Sequence, residues 1–387
     1  QGCGVTVLES NHAPGGMVST FRMGREDLEH IYHHIFTSDR HVLDLSRELG
    51  LENRIDWLAP RNALYMNRRL FPFTTPGDLL SFSPIPLVER FRTGLAVLKA
   101  SRVKDWQAME GVTAADWLKR QSGRTAYRCL WEPLLRSKFD RDADEVSAVW
   151  IWNKFKLRGG SRDKAVDTER LGYMQGSFGV LVDGLVRAIR EAGGRILFGR
   201  TVFDLGRRPE DGRFRISCIR DDGSREDGTA DALVATVSGQ RFASMSAGLG
   251  LPDSYMKKVR DVRYKADLCL VMRLSESLSP YYWTTVCDDL PFVLVIEHTR
   301  LTGLREYGGH IVYLSRYLDP SDPLWTESDG TIFRRFTDGL EILYPGFSRS
   351  LVQDWRVTRT RYAQPVILRD YSDRMPEMRT PVDGVFL

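Results

Sequence analysis

The residues with the clearest chemical potential stand near the start of the chain. Glu9 closes a short apolar run, Val5-Thr6-Val7-Leu8, and Gly15-Gly16 follow six residues later. A continuous β-branched and aliphatic run predicts a buried parallel strand. A carboxylate at the C-terminal end of such a strand can accept hydrogen bonds from the vicinal hydroxyls of a ribose. Two adjacent glycines let backbone approach a ligand too closely for any Cβ. A second cluster is Glu29-His30-Ile31-Tyr32-His33-His34-Ile35-Phe36, with His41 nearby. No Cys or Asp stands at ligand spacing around these histidines, so hydrogen-bonded loop residues outweigh a metal centre, and no metal site is expected. Asp56-Trp57 and the hairpin running to Phe71-Pro72-Phe73 could line a cavity, although an aromatic hairpin is more often core. Arg136 and Lys138, in Trp131-Glu132-Pro133-Leu134-Leu135-Arg136-Ser137-Lys138-Phe139, could face an anionic substrate or form a solvated basic edge.

The elements that must position these groups can be read coarsely. Asp39 caps a predicted helix over 39–50, with Val42, Leu45 and Leu49 on one face and Gly50 as its stop. Asn67-Arg68 separates two strand-like runs and predicts a hairpin. From Pro76 to about Leu157 the pattern is helical, with Thr113 and Asp116 as a capping pair. Ser177 caps a further helix whose buried stripe is Leu181, Leu185 and Ile189, ending at Gly193-Gly194. Strands follow at 195–198, 202–205, 213–219 and 232–235, with Asp221-Asp222-Gly223 as a turn. Residues 262–317 are strand-rich, 326–343 helical, and the end from Arg361 extended.

At 387 residues the chain is too long for one core. A net charge of +4 on that length excludes a dedicated nucleic-acid binder. No apolar run approaches the roughly 20 residues of a membrane span. The five cysteines are widely spaced, the pattern of reduced thiols in a cytoplasmic protein rather than of a disulfide framework. The elbow, phosphate-loop and zinc-helix motifs Gly-x-Ser-x-Gly, Gly-x-x-x-x-Gly-Lys-Ser/Thr and His-Glu-x-x-His are missing from the sequence.

The segment Glu9-Ser10-Asn11-His12-Ala13-Pro14-Gly15-Gly16-Met17-Val18-Ser19-Thr20 resembles the second half of the FAD fingerprint of amine oxidases, phytoene desaturases and protoporphyrinogen oxidases. Gly172-Tyr173-Met174-Gln175-Gly176-Ser177-Phe178-Gly179-Val180-Leu181 resembles their glycine turn before a helix beside the flavin. Gly199-Arg200-Thr201-Val202, Asp231-Ala232-Leu233-Val234-Ala235-Thr236 and Thr380 to Leu387 resemble their later nucleotide-binding strands. The resemblance implies an α/β fold, a Rossmann-like FAD domain interleaved with an α+β substrate domain of mixed sheet and helices. The FAD-binding domain would comprise 1–28, 170–250 and 358–387, and the substrate domain 29–169 and 251–357, helical in 76–157.

By the same resemblance Glu9 holds the ribose, Gly15, Gly16 and Ser19 the pyrophosphate side, and Val202 the adenine, with Thr236 closing over the adenosine. Met17 departs from the Arg or Lys common after the two glycines, which puts a charged phosphate contact there in doubt. The His-rich stretch is similar to the flavin-facing loop of UDP-galactopyranose mutases, with one residue fewer between His30-Ile31-Tyr32 and His34-Ile35-Phe36. That match puts His34 against the isoalloxazine, as the candidate catalytic group. The implied activity is hydride transfer from a small-molecule substrate to non-covalent FAD. Alternatives are a flavin-dependent nucleotide-sugar mutase and a non-catalytic nucleotide-binding protein; the substrate is a nucleotide sugar or an apolar molecule. Since the chain opens at Gln1-Gly2 and stops inside Gly384-Val385-Phe386-Leu387, the expectation is a piece of a longer protein. With the phosphate loop outside it, residues 1–387 alone are expected to bind FAD weakly or not at all.

Overall fold

The computed structural model describes residues 2–100, 102–160, 162–163, 168–304 and 307–387. The chain forms two compact units, one of residues 1–16, 182–263 and 371–387, the other of 17–181 and 264–370.

In the first unit the opening strand, Thr6–Leu8, pairs in parallel with Arg195–Leu197. It is not buried as its composition predicts: Val5 is 52% and Val7 36% exposed. Leu8 and Glu9 are half-buried. Among the described residues the strand pairs only with Arg195–Leu197, so alternation decides little, and Val7 and the preceding Val5 meet solvent. Arg200–Arg207, Phe214–Arg220 and Arg225–Ala230 form an antiparallel sheet. The turn at Asp221-Asp222-Gly223 is closed by the Asp222 carboxylate, which accepts from the backbone and hydroxyl of Ser224. The third strand carries no apolar alternation and was not predicted; cross-strand pairing alone defines it. Leu233–Val234 pairs in parallel with Val385–Phe386. Leu205, Phe214, Phe242, Val259 and Val385 make this unit's core.

The second unit is built on a seven-stranded mixed sheet. Its order is Val352–Pro365, Tyr264–Leu274, His310–Leu318, Leu294–Glu297, Trp283–Val286, Asn62–Met66 and Arg69–Pro72. Only the Trp283–Val286 and Asn62–Met66 neighbours run parallel. The central strand Tyr264–Leu274 shows why this sheet is two-sided. Leu268, Leu270, Met272 and Leu274 pack with Ile332, Phe336 and Leu340 of the helix Asp329–Leu343. The alternate residues Cys269 and Val271 pack with Phe21, Leu28, Ile296 and Tyr313 on the other face. The hairpin turn falls on Asn67-Arg68 as predicted, both residues taking positive φ. The Asp288 carboxylate receives both of their N–H groups at 2.8 Å.

Of the described residues in 76–157 most are helical, as expected, around Leu118, Leu130, Leu135, Phe139 and Ile151. Thr113 caps the helix Ala114–Ser122, accepting from the Asp116 N–H at 3.0 Å. A buried ion pair, Lys265 Nζ to Asp142 at 2.8 Å, fastens this region to the sheet. Two expected details differ. Asp39 does not cap the helix Arg40–Glu48; its carboxylate turns back to the Phe36 N–H. Ser177 does accept the Gly179 N–H on its hydroxyl at 3.2 Å at the start of the helix Gly179–Glu191, but of the predicted stripe only Leu181 is fully buried. Among the described residues no helix is long and apolar enough to cross a membrane.

Candidate functional site

In the first unit, Glu9 stands at the end of its strand. Its backbone N–H donates to Leu197 and its carbonyl accepts from Arg200, two residues before Val202. That pairing brings Glu9 and the Val202 strand together. The Glu9 carboxylate, half-buried, accepts the Asn11 N–H at 2.8 Å and the Ser10 hydroxyl at 3.3 Å. These local donors fix its direction. Val202 lies beside a bulge that inserts Phe203 before Asp204. Its strand is an edge of the three-stranded sheet, so alternate backbone groups point away from the ladder. Thr236 is exposed, just past Leu233–Val234 and two residues before Ser238, the cap of helix Gly239–Met245. Gly15 and Gly16 take φ of +119° and +54°, and a Cβ built on Gly16 would meet no protein atom within 4 Å. Glycine at 16 therefore serves the left-handed turn and leaves open space. Together these features fit a ribose and a phosphate approaching the backbone.

Met17, Ser19 and His34 lie in the second unit. Met17 is 43% exposed, and its side chain offers no cation. The Ser19 carbonyl accepts the His30 N–H at 3.1 Å, closing the base of the His-rich loop.

That loop is held from below by a buried acid that sequence reasoning did not single out. Glu29 is 1% exposed, and its carboxylate accepts the Phe178 N–H at 2.6 Å and the Tyr173 hydroxyl at 3.0 Å. Its carbonyl accepts from Tyr313, and the His30 carbonyl from Thr358. Burial drives the Glu29 carboxyl up to about 7 against these lowering hydrogen bonds. Gly172 lets the strand beneath come close: a Cβ there would stand 3.0–3.2 Å from Ile55, Trp57 and Ile35.

Above this base the histidines part company. His33 turns Nδ1 to the Ile31 carbonyl at 2.7 Å, and burial lowers its pKa. His30 stacks tilted against Phe21. His34 is half-buried, with Nδ1 3.3 Å from the Tyr282 hydroxyl and its ring edge-on to Phe36 and Trp283. Burial raises the Tyr282 pKa.

Trp283 continues the site toward Lys138, whose ammonium lies 4.1 Å from the Tyr317 ring centroid and 3.3 Å from the Tyr32 hydroxyl. Lys138, Trp283 and Tyr317 line a mostly apolar cleft with Leu134, Thr285, Val293 and Leu294. Behind them Asp267 is buried and accepts from Ser315 at 2.6 Å. Burial raises it to about 6, against the lowering effects of Ser315 and the Lys138 charge. Arg136, paired with Lys138 in the sequence reading, points elsewhere and bonds Glu132 and Asp144 at the surface. Asp56 accepts from Gln175 at 2.8 Å, and Phe71 and Phe73 pack on Phe82 in the helical core, so that hairpin is core.

The second unit thus carries an aromatic recess with one histidine and one cation, and the first unit, taken by itself, a parallel strand that ends in a carboxylate. The chain belongs to the flavin containing amine oxidoreductase family, whose model matches residues 1–387. It is an FAD-dependent oxidoreductase of that family. No curated protein matches it by sequence. Among solved structures it is similar to a provisionally named protoporphyrinogen oxidase from Exiguobacterium sp. 255-15. That match has a TM-score of 0.75 and 17% identity over 99% of this chain and 87% of the other. Reduced UDP-galactopyranose mutase matches with a TM-score of 0.70 and 12% identity, over 96% and 84% of the two chains. Putrescine oxidase bound to putrescine gives 0.69 and 13%, over 100% and 87%. At these identities the likeness is one of fold, and it agrees with the expected Rossmann-like and α+β architecture.

Proposed function

We propose that this enzyme removes a hydride from a C–H bond of a small organic substrate, with FAD bound non-covalently. The observation that carries the reading is the His34 arrangement: a half-buried imidazole fixed by Tyr282 and walled by Phe36 and Trp283. When bound, FAD supplies the two-electron acceptor for that hydride. Glu9 would hold the ribose hydroxyls, Gly15, Gly16 and Ser19 would border the pyrophosphate, Val202 would offer backbone to the adenine, and Thr236 would close over the adenosine. Met17 adds contact area without charge. Tyr282, kept protonated by burial, donates to Nδ1 of His34 and so directs the ring hydrogen to Nε2. His34 then donates from Nε2 as negative charge develops in the site. Lys138, beside the rings of Trp283 and Tyr317, favours a substrate carrying a polar or anionic substituent.

The test is the visible spectrum of the full-length protein, followed by anaerobic addition of amine and alkene donors. Bleaching of the flavin bands is the expected result; a colourless protein after addition of FAD would sink the proposal.

A second reading, a nucleotide-sugar mutase without net redox change, is favoured by the His30 to Phe36 stretch and the Lys138 cation. It requires turnover of a nucleotide sugar only after dithionite reduction.

A further inference from the structure

The helix Leu87–Ala100 carries its large apolar side chains on the side away from the core. Thr93, Ala96 and Ala100 are buried, and Val97 packs on the helical core. Leu87, Val88, Phe91, Leu95 and Leu98 are 55%, 70%, 55%, 54% and 56% exposed. At 3.6 residues per turn these five fall within about 100° of arc, an unbroken apolar stripe along the helix. Leu80, in the preceding helix Pro76–Ser81, is exposed as well.

The stripe is bordered by positive charge. On the wheel Lys99 and Arg92 follow its one edge and Arg90 stands beyond the other. Arg90 donates to the Ile85 and Leu80 carbonyls, and Arg92 to those of Gln121 and Arg120. Those bonds hold the guanidinium groups in place without neutralising them. Arg102 and Lys104 extend the border and are exposed. Residues 87–104 hold five basic side chains and one acidic, an excess equal to the net +4 of the whole chain. The one acid, Glu89, accepts the Ala126 N–H at 2.6 Å.

We propose that this face seats on an anionic bilayer surface. The helix lies in the plane of the headgroups, its five apolar side chains enter the acyl boundary, and the basic border meets the phosphates. Charge decides between occupants. A second copy of the chain would bring the same basic border against itself, whereas anionic headgroups neutralise it.

The test uses the whole protein and sedimentation with vesicles of phosphatidylcholine containing about a third phosphatidylglycerol, at ~0.1 M salt. The expected result is binding that falls roughly tenfold on pure phosphatidylcholine and falls again at high salt. Phe91→Glu/Leu95→Glu abolishes it, with unchanged thermal unfolding because both side chains are exposed. Lys99→Gln/Arg102→Gln/Lys104→Gln leaves the apolar stripe intact and loses only the preference for anionic lipid. Failure to bind phosphatidylglycerol vesicles, or equal binding by both variants, overturns the proposal. So does a concentration-dependent dimer that Phe91→Glu/Leu95→Glu disrupts, which would assign the face to a second copy.

Discussion

The Tyr173 hydroxyl donates to the Glu29 carboxylate at 3.0 Å, and the Phe178 N–H reaches the same group at 2.6 Å, in a setting closed to water. This pair fixes the base of the loop that carries His34, and it makes stability depend on pH. Burial raises the Glu29 carboxyl from 4.5 to about 7, so between those values the folded protein keeps a proton that the unfolded chain releases. Stability from this group is fully present below pH 4.5, falls as pH rises through the window, and levels off above about 7. The loss is on the order of 3 kcal/mol. Denaturant midpoints measured from pH 5 to 8 should fall for the native protein. Glu29→Gln should flatten that difference, and an unchanged slope in the variant would remove Glu29 from the account.

His34 and Tyr282 separate chemistry from positioning. His34→Ala should slow anaerobic flavin reduction by ~10²-fold while leaving FAD affinity within a few-fold. Tyr282→Phe keeps the ring and removes the hydroxyl that directs the imidazole, so its expected mark is a displaced pH profile with a smaller loss of rate. Equal rates and profiles for Tyr282→Phe and the native enzyme would leave His34 unaided by that hydroxyl.

Much of the fold could be read in sequence where the causes are local. The Asn67-Arg68 turn needs only two residues that tolerate positive φ between alternating strands. The Thr113 cap needs only its own first turn. Glu29 was unreadable as a site residue because its partners lie 144 and 149 residues away. The helix Leu87–Ala100 misleads in the opposite way. Its large apolar residues suggest a core face, yet the neighbouring helices close on its small residues instead. Periodicity finds a stripe but cannot say what covers it.

Glu9 and Gly16 set the expectation for cofactor affinity. Glu9→Gln removes the charge from the hydrogen bond proposed here to the ribose and should weaken FAD binding by roughly 10- to 100-fold, equivalent to about 1.5–3 kcal/mol. Gly16→Val fills the open space and places a β-branched residue at φ +54°, so the expected loss is at least as large. Flavin fluorescence titration measures both, and full affinity in both variants would move the nucleotide elsewhere.

The Lys265–Asp142 pair makes the last expectation, about how the helical region stays fastened to the sheet. Lys265 is 0% exposed, its ammonium is 2.8 Å from Asp142, and Asp319 stands further off at 3.9 Å. Among the described residues, removing the acid alone leaves the buried ammonium with the distant Asp319 carboxylate for compensation. Asp142→Ala should therefore cost roughly 3–5 kcal/mol in urea or thermal unfolding. Replacing both partners by apolar residues, Lys265→Met with Asp142→Leu, removes the charge together with its counter-ion and should recover most of that loss. A double variant as unstable as Asp142→Ala would mean that the hydrogen-bonding shape of Asp142, rather than the ion pair, holds the two regions together.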